Sequence, residues 1–139
     1  MENCPFCEIG KEDRVLKEGK FSYVFLSNPR LMPGHMLVVP KRHVTIIADL
    51  TREEQNEIFD SLIEYQAKVL GKISSGCEIR QNFKPYLKEG RTHVTHMHFH
   101  ILPREPEDGL QQVEGGRTAM YLDFSDGEKE KIVAHAFFM

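Results

Sequence analysis

The chain has 139 residues, a formal net charge of −3, and 40% hydrophobic and 28% charged side chains. That length suits one domain with its own core, and the balance is ordinary for a globular protein. No apolar run reaches the length of a membrane span, and Met1-Glu2-Asn3-Cys4 lacks the basic-then-apolar pattern of a secretory signal. The negative charge argues against bulk nucleic-acid binding, while local basic groups leave small anionic ligands open. Three cysteines are an odd count for a disulfide framework, so a reduced, cytoplasmic setting is expected.

In chain order, Phe21 to Leu26 is aromatic and aliphatic and reads as a strand. Ser27-Asn28-Pro29-Arg30 and Pro33-Gly34 are turn chemistry, and His35 to Val39, closed by Pro40, reads as a second strand paired with the first. Thr51-Arg52-Glu53-Glu54 fits a capping box. Ile58, Phe59, Leu62, Ile63, Val69 and Leu70 follow at helical spacing, predicting a helix of about five turns with one core-facing stripe that stops at Gly71. Glu78 to Asn82 is a short strand, Lys84 to Arg91 a loop, and Val94 to Leu102 a further strand that Pro103 ends. Residues Lys129 to Phe138 read as a terminal helix. The order strand, strand, helix, strand, strand points to an α+β fold, with an antiparallel sheet covered by one main helix.

Within Val94 to Leu102, histidines occupy every second position, His96, His98 and His100, with Met97, Phe99 and Ile101 between them. Alternate strand residues share a face, so three imidazoles line up on one side while the apolar residues pack behind. Imidazole is the side chain best suited to nucleophilic, proton-transfer and metal chemistry near neutral pH. His93, by the same alternation, falls on the opposite face from His96 and reads as structural or rim.

Cys4-Pro5-Phe6-Cys7 is a Cys-x-x-Cys pair. Two thiolates at this spacing can grip a zinc ion; a redox disulfide is the rival reading, although such pairs normally follow a strand and open a helix. A closed zinc site needs two more ligands. His43, after Pro40-Lys41-Arg42, is one candidate. His96 is the other, because it can turn away without removing the remaining two histidines from the row.

The segment Gly34-His35-Met36-Leu37-Val38-Val39-Pro40-Lys41-Arg42-His43, followed by a helix and then by His96-x-His98-x-His100-Ile101-Leu102-Pro103-Arg104, resembles the histidine triad (HIT) family. The Cys4-x-Phe6-Cys7 start is similar to its zinc-binding branch. The resemblance covers about residues 4–104 of a single domain spanning 1–139, with 105–139 as a C-terminal extension. It implies a meander with a five-stranded antiparallel sheet, usually in a two-fold dimer. It also implies transfer or hydrolysis at the α-phosphate of a nucleotide derivative: a dinucleoside polyphosphate, a nucleoside phosphoramidate or an adenylylated compound. His98 takes the place of the nucleophile and His100 that of the flanking catalytic histidine. His35 matches the residue that orients the imidazoles, and Asn82 the one that touches phosphate. Cys4, Cys7, His43 and His96 match structural zinc ligands. Thr92 stands at a substrate-binding position where many members carry glutamine, and Phe25-Leu26-Ser27-Asn28-Pro29 has no acidic residue for ribose hydroxyls. Two other readings stay open: a non-catalytic nucleotide sensor on the same fold, and a zinc-dependent hydrolase with water as nucleophile.

Overall fold

The computed structural model describes residues 4–9, 14–90, 92–110 and 125–133. The chain divides into two compact units, Met1–Asp108 and Gly109–Met139. The first holds five strands, β1 (Val15–Glu18), β2 (Ser22–Leu26), β3 (Met36–Pro40), β4 (Gly76–Gln81) and β5 (Phe99–Arg104), with one long helix, α1 (Arg52–Lys72). The strands form one antiparallel sheet in the order β1-β2-β3-β5-β4. In the second unit, α2 (Asp126–Ile132) starts at Ser125, whose side chain accepts from the Glu128 N–H. The expected helix over 129–138 thus begins earlier, and residues 134–138 lie outside the described residues. Among the described residues, no helix is long and apolar enough to cross a membrane.

The buried central strand β3 faces two cores, because successive strand residues point to opposite sides. Met36 and Val38 join Val24, Ile101 and Met97 beneath Ile58, Leu62, Tyr65 and Val69 of α1. Leu37 and Val39 join Phe25 and Ile9 on the other side, where Phe6, Val15 and Tyr23 complete a smaller cluster. Helix α1 opens on the expected capping box: the Thr51 hydroxyl accepts from the Glu54 N–H, and the Glu54 carboxylate accepts from the Thr51 N–H at 2.8 Å. The same carboxylate takes both Nε and a terminal nitrogen of Arg42, at 3.1 and 2.8 Å. The residue before His43 is thereby tied to the helix start. Glu57, one turn on, accepts from the N–H groups of Lys20 and Phe21, each at 3.0 Å, and from the Ser22 hydroxyl. It clamps the β1–β2 turn to the helix.

Four expectations need correction. Phe59, Ile63 and Leu70 are 64%, 57% and 47% exposed, not in the core stripe. Each lies one residue past a buried one, and about 100° of helical rotation carries it off a sheet that reaches only one narrow face. Helix α1 runs through Gly71 to Lys72, and the Ile73 N–H closes it on the Val69 carbonyl. Pro103 lies inside β5; the β3 ladder covers only Phe99 to Ile101, so a residue without an N–H meets an open flank there. Lastly, β5 begins at Phe99, so His96 and His98 sit in the segment leading into it. That segment is held from outside the ladder, by the Met97 N–H on the Val44 carbonyl at 2.7 Å. Strand β1 was not anticipated.

Candidate active site and metal centre

Gly34 turns the chain into β3 with a φ of 85°, a left-handed conformation that costs glycine little; a Cβ there would sit 3.2 Å from Pro103 Cγ. The turn delivers His35 to the sheet face opposite α1. There its Nδ1 accepts the Leu31 N–H at 3.1 Å. An acceptor Nδ1 means the proton is on Nε2, which lies 2.8 Å from Nδ1 of His100 and donates to it. His100 consequently carries its own proton on Nε2. The chain Leu31–His35–His100 sets both tautomers by hydrogen bonding alone.

His98 is set the opposite way round. Its Nδ1 lies 2.9 Å from the His96 carbonyl, which can only accept, so Nδ1 bears the proton and Nε2 a lone pair. The His98 and His100 rings stand 4.8 Å apart, and both line an open cleft of about 1240 Å³. Burial pushes the His98 imidazole below its ordinary range, helped by the neighbouring His93 charge and opposed by its bond to the His96 carbonyl and by Glu89. Burial, with His98, His35 and Arg80 beside it, holds His100 down to about 3, and burial together with Arg80 and His98 holds His35 down to about 4. At neutral pH the row is therefore uncharged, with one lone pair and one N–H presented side by side.

The first histidine turns away. The buried His96 places Nε2 2.8 Å from the Pro40 carbonyl and donates to it, which leaves Nδ1 as a free ligand atom. That atom lies 3.4 Å from Cys4 Sγ, 3.5 Å from Cys7 Sγ and 3.2 Å from His43 Nδ1. His43 Nδ1 in turn is 3.5 and 3.4 Å from the two sulfurs. Cys4, Cys7, His43 and His96 thus form a four-donor cluster that could hold a metal ion. Desolvation and the Cys4 thiol beside it push Cys7 up to about 11. Proline at the first position of a short 3-10 turn, Pro5–Cys7, brings both sulfurs to one side.

Thr92 also lines the cleft. Asn82 is exposed just past the end of β4 and does not line it; continuing the Gln81–Phe99 register by one residue sets Asn82 across from His98. His93 stays outside the cleft lining, and its Nε2 is buried with no hydrogen-bond partner among the described residues. Sequence reasoning did not single out Glu89, whose carboxylate accepts the Thr95 N–H at 2.6 Å, or Phe6, whose ring borders the cleft. An apolar residue between two cysteines in an exposed turn was the available signal for Phe6.

Fold and site together define a protein that works with a row of neutral imidazoles on an antiparallel α+β sheet. A model of the HIT domain matches residues 10–107, and the chain belongs to that family. It is 31% identical over 126 residues to the bis(5'-nucleosyl)-tetraphosphatase [asymmetrical] of Schizosaccharomyces pombe, covering 84% of this chain and 68% of that protein. It is also 31% identical over 112 residues to an adenosine 5'-monophosphoramidase of the same organism, covering 76% of this chain and 77% of that one. Among solved structures, a HIT family protein from Bacillus anthracis shares the fold, with a TM-score of 0.71 and 24% identity over 96% of this chain and 94% of its own.

Proposed function

We propose that the protein is a nucleotidyl hydrolase or transferase that acts at the α-phosphate of a nucleotide derivative through a covalent intermediate on His98. The observation that carries this reading is the bond from His98 Nδ1 to the His96 carbonyl, which leaves the Nε2 lone pair in the cleft. A neutral imidazole attacks phosphorus without first losing a proton. The N–P bond forms as the bond from phosphorus to the leaving group breaks, and the leaving group departs with the electron pair and takes a proton. Water then attacks phosphorus and releases His98 with the nucleoside monophosphate. Through this sequence the Nε2–H of His100, fixed by His35, donates to a phosphoryl oxygen as its charge grows. Thr92, on the cleft wall, is assigned to the leaving group; Asn82, outside the cleft lining but one register step past Gln81–Phe99, is assigned to the phosphate.

The proposed substrates are dinucleoside polyphosphates and nucleoside phosphoramidates, the classes that the relatives' names give, together with adenylylated compounds, which carry the same α-phosphate. The apolar wall of Phe25, Ile9 and Leu37 suits a nucleobase. We assign zinc to the four-donor cluster as a structural ion. A tetrahedral ion with Zn–S about 2.3 Å and Zn–N about 2.0–2.1 Å requires S···N near 3.6 Å and N···N near 3.3 Å, and the cluster has 3.4–3.5 and 3.2 Å. Cys4, Cys7, His43 and His96 would hold the ion, which would tie the N-terminal turn to the two histidines. We also read the protein as a cytoplasmic homodimer. Phe59, Ile63 and Leu70 form an exposed apolar stripe on α1, and β4 is an edge strand with no outer partner among the described residues.

The test is turnover. Wild-type protein releases AMP from an adenosine phosphoramidate or a diadenosine polyphosphate, and His98→Ala lowers the rate by roughly 10³-fold or more while keeping its fold. Binding of the nucleotide without turnover by the wild type contradicts the reading and favours a sensor.

A further inference from the structure

Phe6 sits directly between the metal donors and the imidazole row. It belongs to the one-turn helix Pro5–Cys7, with one cysteine ligand beside it and the other two residues back. Its ring meets His98 edge-on, with centroids 5.1 Å apart and planes at 79°. It meets His96 in the same manner at 6.1 Å, and Phe25 on the cleft wall at 5.5 Å. One aromatic side chain thus fills the corner shared by a metal donor, the lone-pair imidazole and the wall of the cleft. Edge-to-face contacts of this kind are directional, so moving the ring moves what it supports.

The turn that carries Phe6 has little local structure to hold it. Its own hydrogen bond runs from the Cys7 N–H to the Cys4 carbonyl at 3.2 Å, and its start has no side-chain cap. The two sulfurs are its attachment to His43 and His96, whose Nδ1 atoms lie 3.4–3.5 Å away, and a shared cation would hold these four donors together. His96 gives a second, shorter path from the same centre: it donates Nδ1 to the cluster and its carbonyl holds His98 Nδ1.

We propose that Phe6 is a positioning residue that carries the state of the Cys/His metal centre to the His98 ring, so that filling the centre orders the imidazole on which turnover depends. The catalytic consequence rests on the function proposed above; the ordering itself does not. A filled centre fixes the turn, the turn fixes Phe6, and Phe6 closes one side of the His98 ring while the His96 carbonyl sets its tautomer. An emptied centre frees the turn that carries Phe6, while His96 keeps its bond to the Pro40 carbonyl.

The test compares zinc-loaded wild type with Phe6→Leu, which keeps an apolar wall but lacks the ring. Zinc content, the NMR signals of the His98 ring protons and steady-state kinetics are measured on both. We expect one zinc per chain in each, His98 ring signals displaced in the variant, and kcat down about tenfold with KM within about twofold, as for a misplaced nucleophile. Unmoved His98 signals with zinc retained overturn the proposal. A second measurement does not need the variant: stepwise chelation of the wild type should move the His98 signals in proportion to zinc removed, while the amide signals of β3 and β5 persist. His98 signals indifferent to zinc occupancy overturn the proposal as well. If the wild type turns over no nucleotide but its His98 signals follow zinc and Phe6, only the assigned reaction fails.

Discussion

Nε2 of His35 and Nδ1 of His100 lie 2.8 Å apart, although the residues are 65 positions apart in the chain. Because His35 Nδ1 is already an acceptor for the Leu31 N–H, this contact dictates where the proton of His100 sits. A hydrogen bond on the cleft wall, from the Leu31 N–H to His35, therefore decides which atom of His100 faces a substrate. Replacing His35 with Ala should free the His100 tautomer and lower kcat by roughly 10–100-fold, with nucleotide binding little changed. Steady-state kinetics check this; a kcat equal to that of the wild type would remove His35 from the mechanism.

The depressed histidines make a pH prediction with a definite sign. Neutral His98 persists below the ordinary histidine value near 6.5, so the acid limb of kcat/KM should lie below pH 6.5, and an acid limb above that value would contradict it. Stability runs the same way. His35 and His100 are held to about 4 and about 3 in the folded chain, whereas an unfolded histidine titrates near 6.5. Between those values the unfolded chain binds more protons, so the stabilisation present above pH 6.5 is lost as the pH falls. Thermal melts from pH 7.5 to 4.5 should show Tm dropping below pH 6.5, and a flat profile across that interval would refute the burial of neutral imidazoles.

Glu57 offers a test of the scaffold apart from the chemistry. Its carboxylate serves the Lys20 and Phe21 N–H groups and the Ser22 hydroxyl. Glu57→Ala leaves those donors without that acceptor and should cost about 1–3 kcal/mol of stability, with unchanged turnover per folded molecule. Urea titration measures it, and a change under about 0.5 kcal/mol would mean the turn is held by something else.

Those features written in local spacing were legible in the sequence. The capping box from Thr51 to Glu54 and the alternation of His96, His98 and His100 with Met97, Phe99 and Ile101 depend on residues a few positions apart, and each forms the contacts its pattern implies. The Cys4–Cys7 pair was visible for the same reason, and the separation of His96 from the other two histidines followed from the donors it had to meet. What stayed hidden depends on neighbours distant in the chain. Strand β1 has three exposed residues out of four, so it carries no burial alternation, and only pairing with β2 makes it a strand. The exposed positions of Phe59, Ile63 and Leu70 depend on how much of α1 the sheet covers. The helical period cannot report that. Glu57 and Phe6 acquire roles only when the β1–β2 turn and the N-terminal turn are brought against α1 and the histidine row.

Covalent catalysis here requires Nε2 of His98 to form a bond to phosphorus. Mixing the protein with a diadenosine polyphosphate or an adenosine phosphoramidate, quenching within milliseconds at alkaline pH, and sequencing the digested chain by mass spectrometry tests it directly. The expected result is an AMP adduct on the peptide containing His98, located on that residue and absent from His98→Ala. An adduct on another residue, or full turnover with none formed on the wild type, would contradict it.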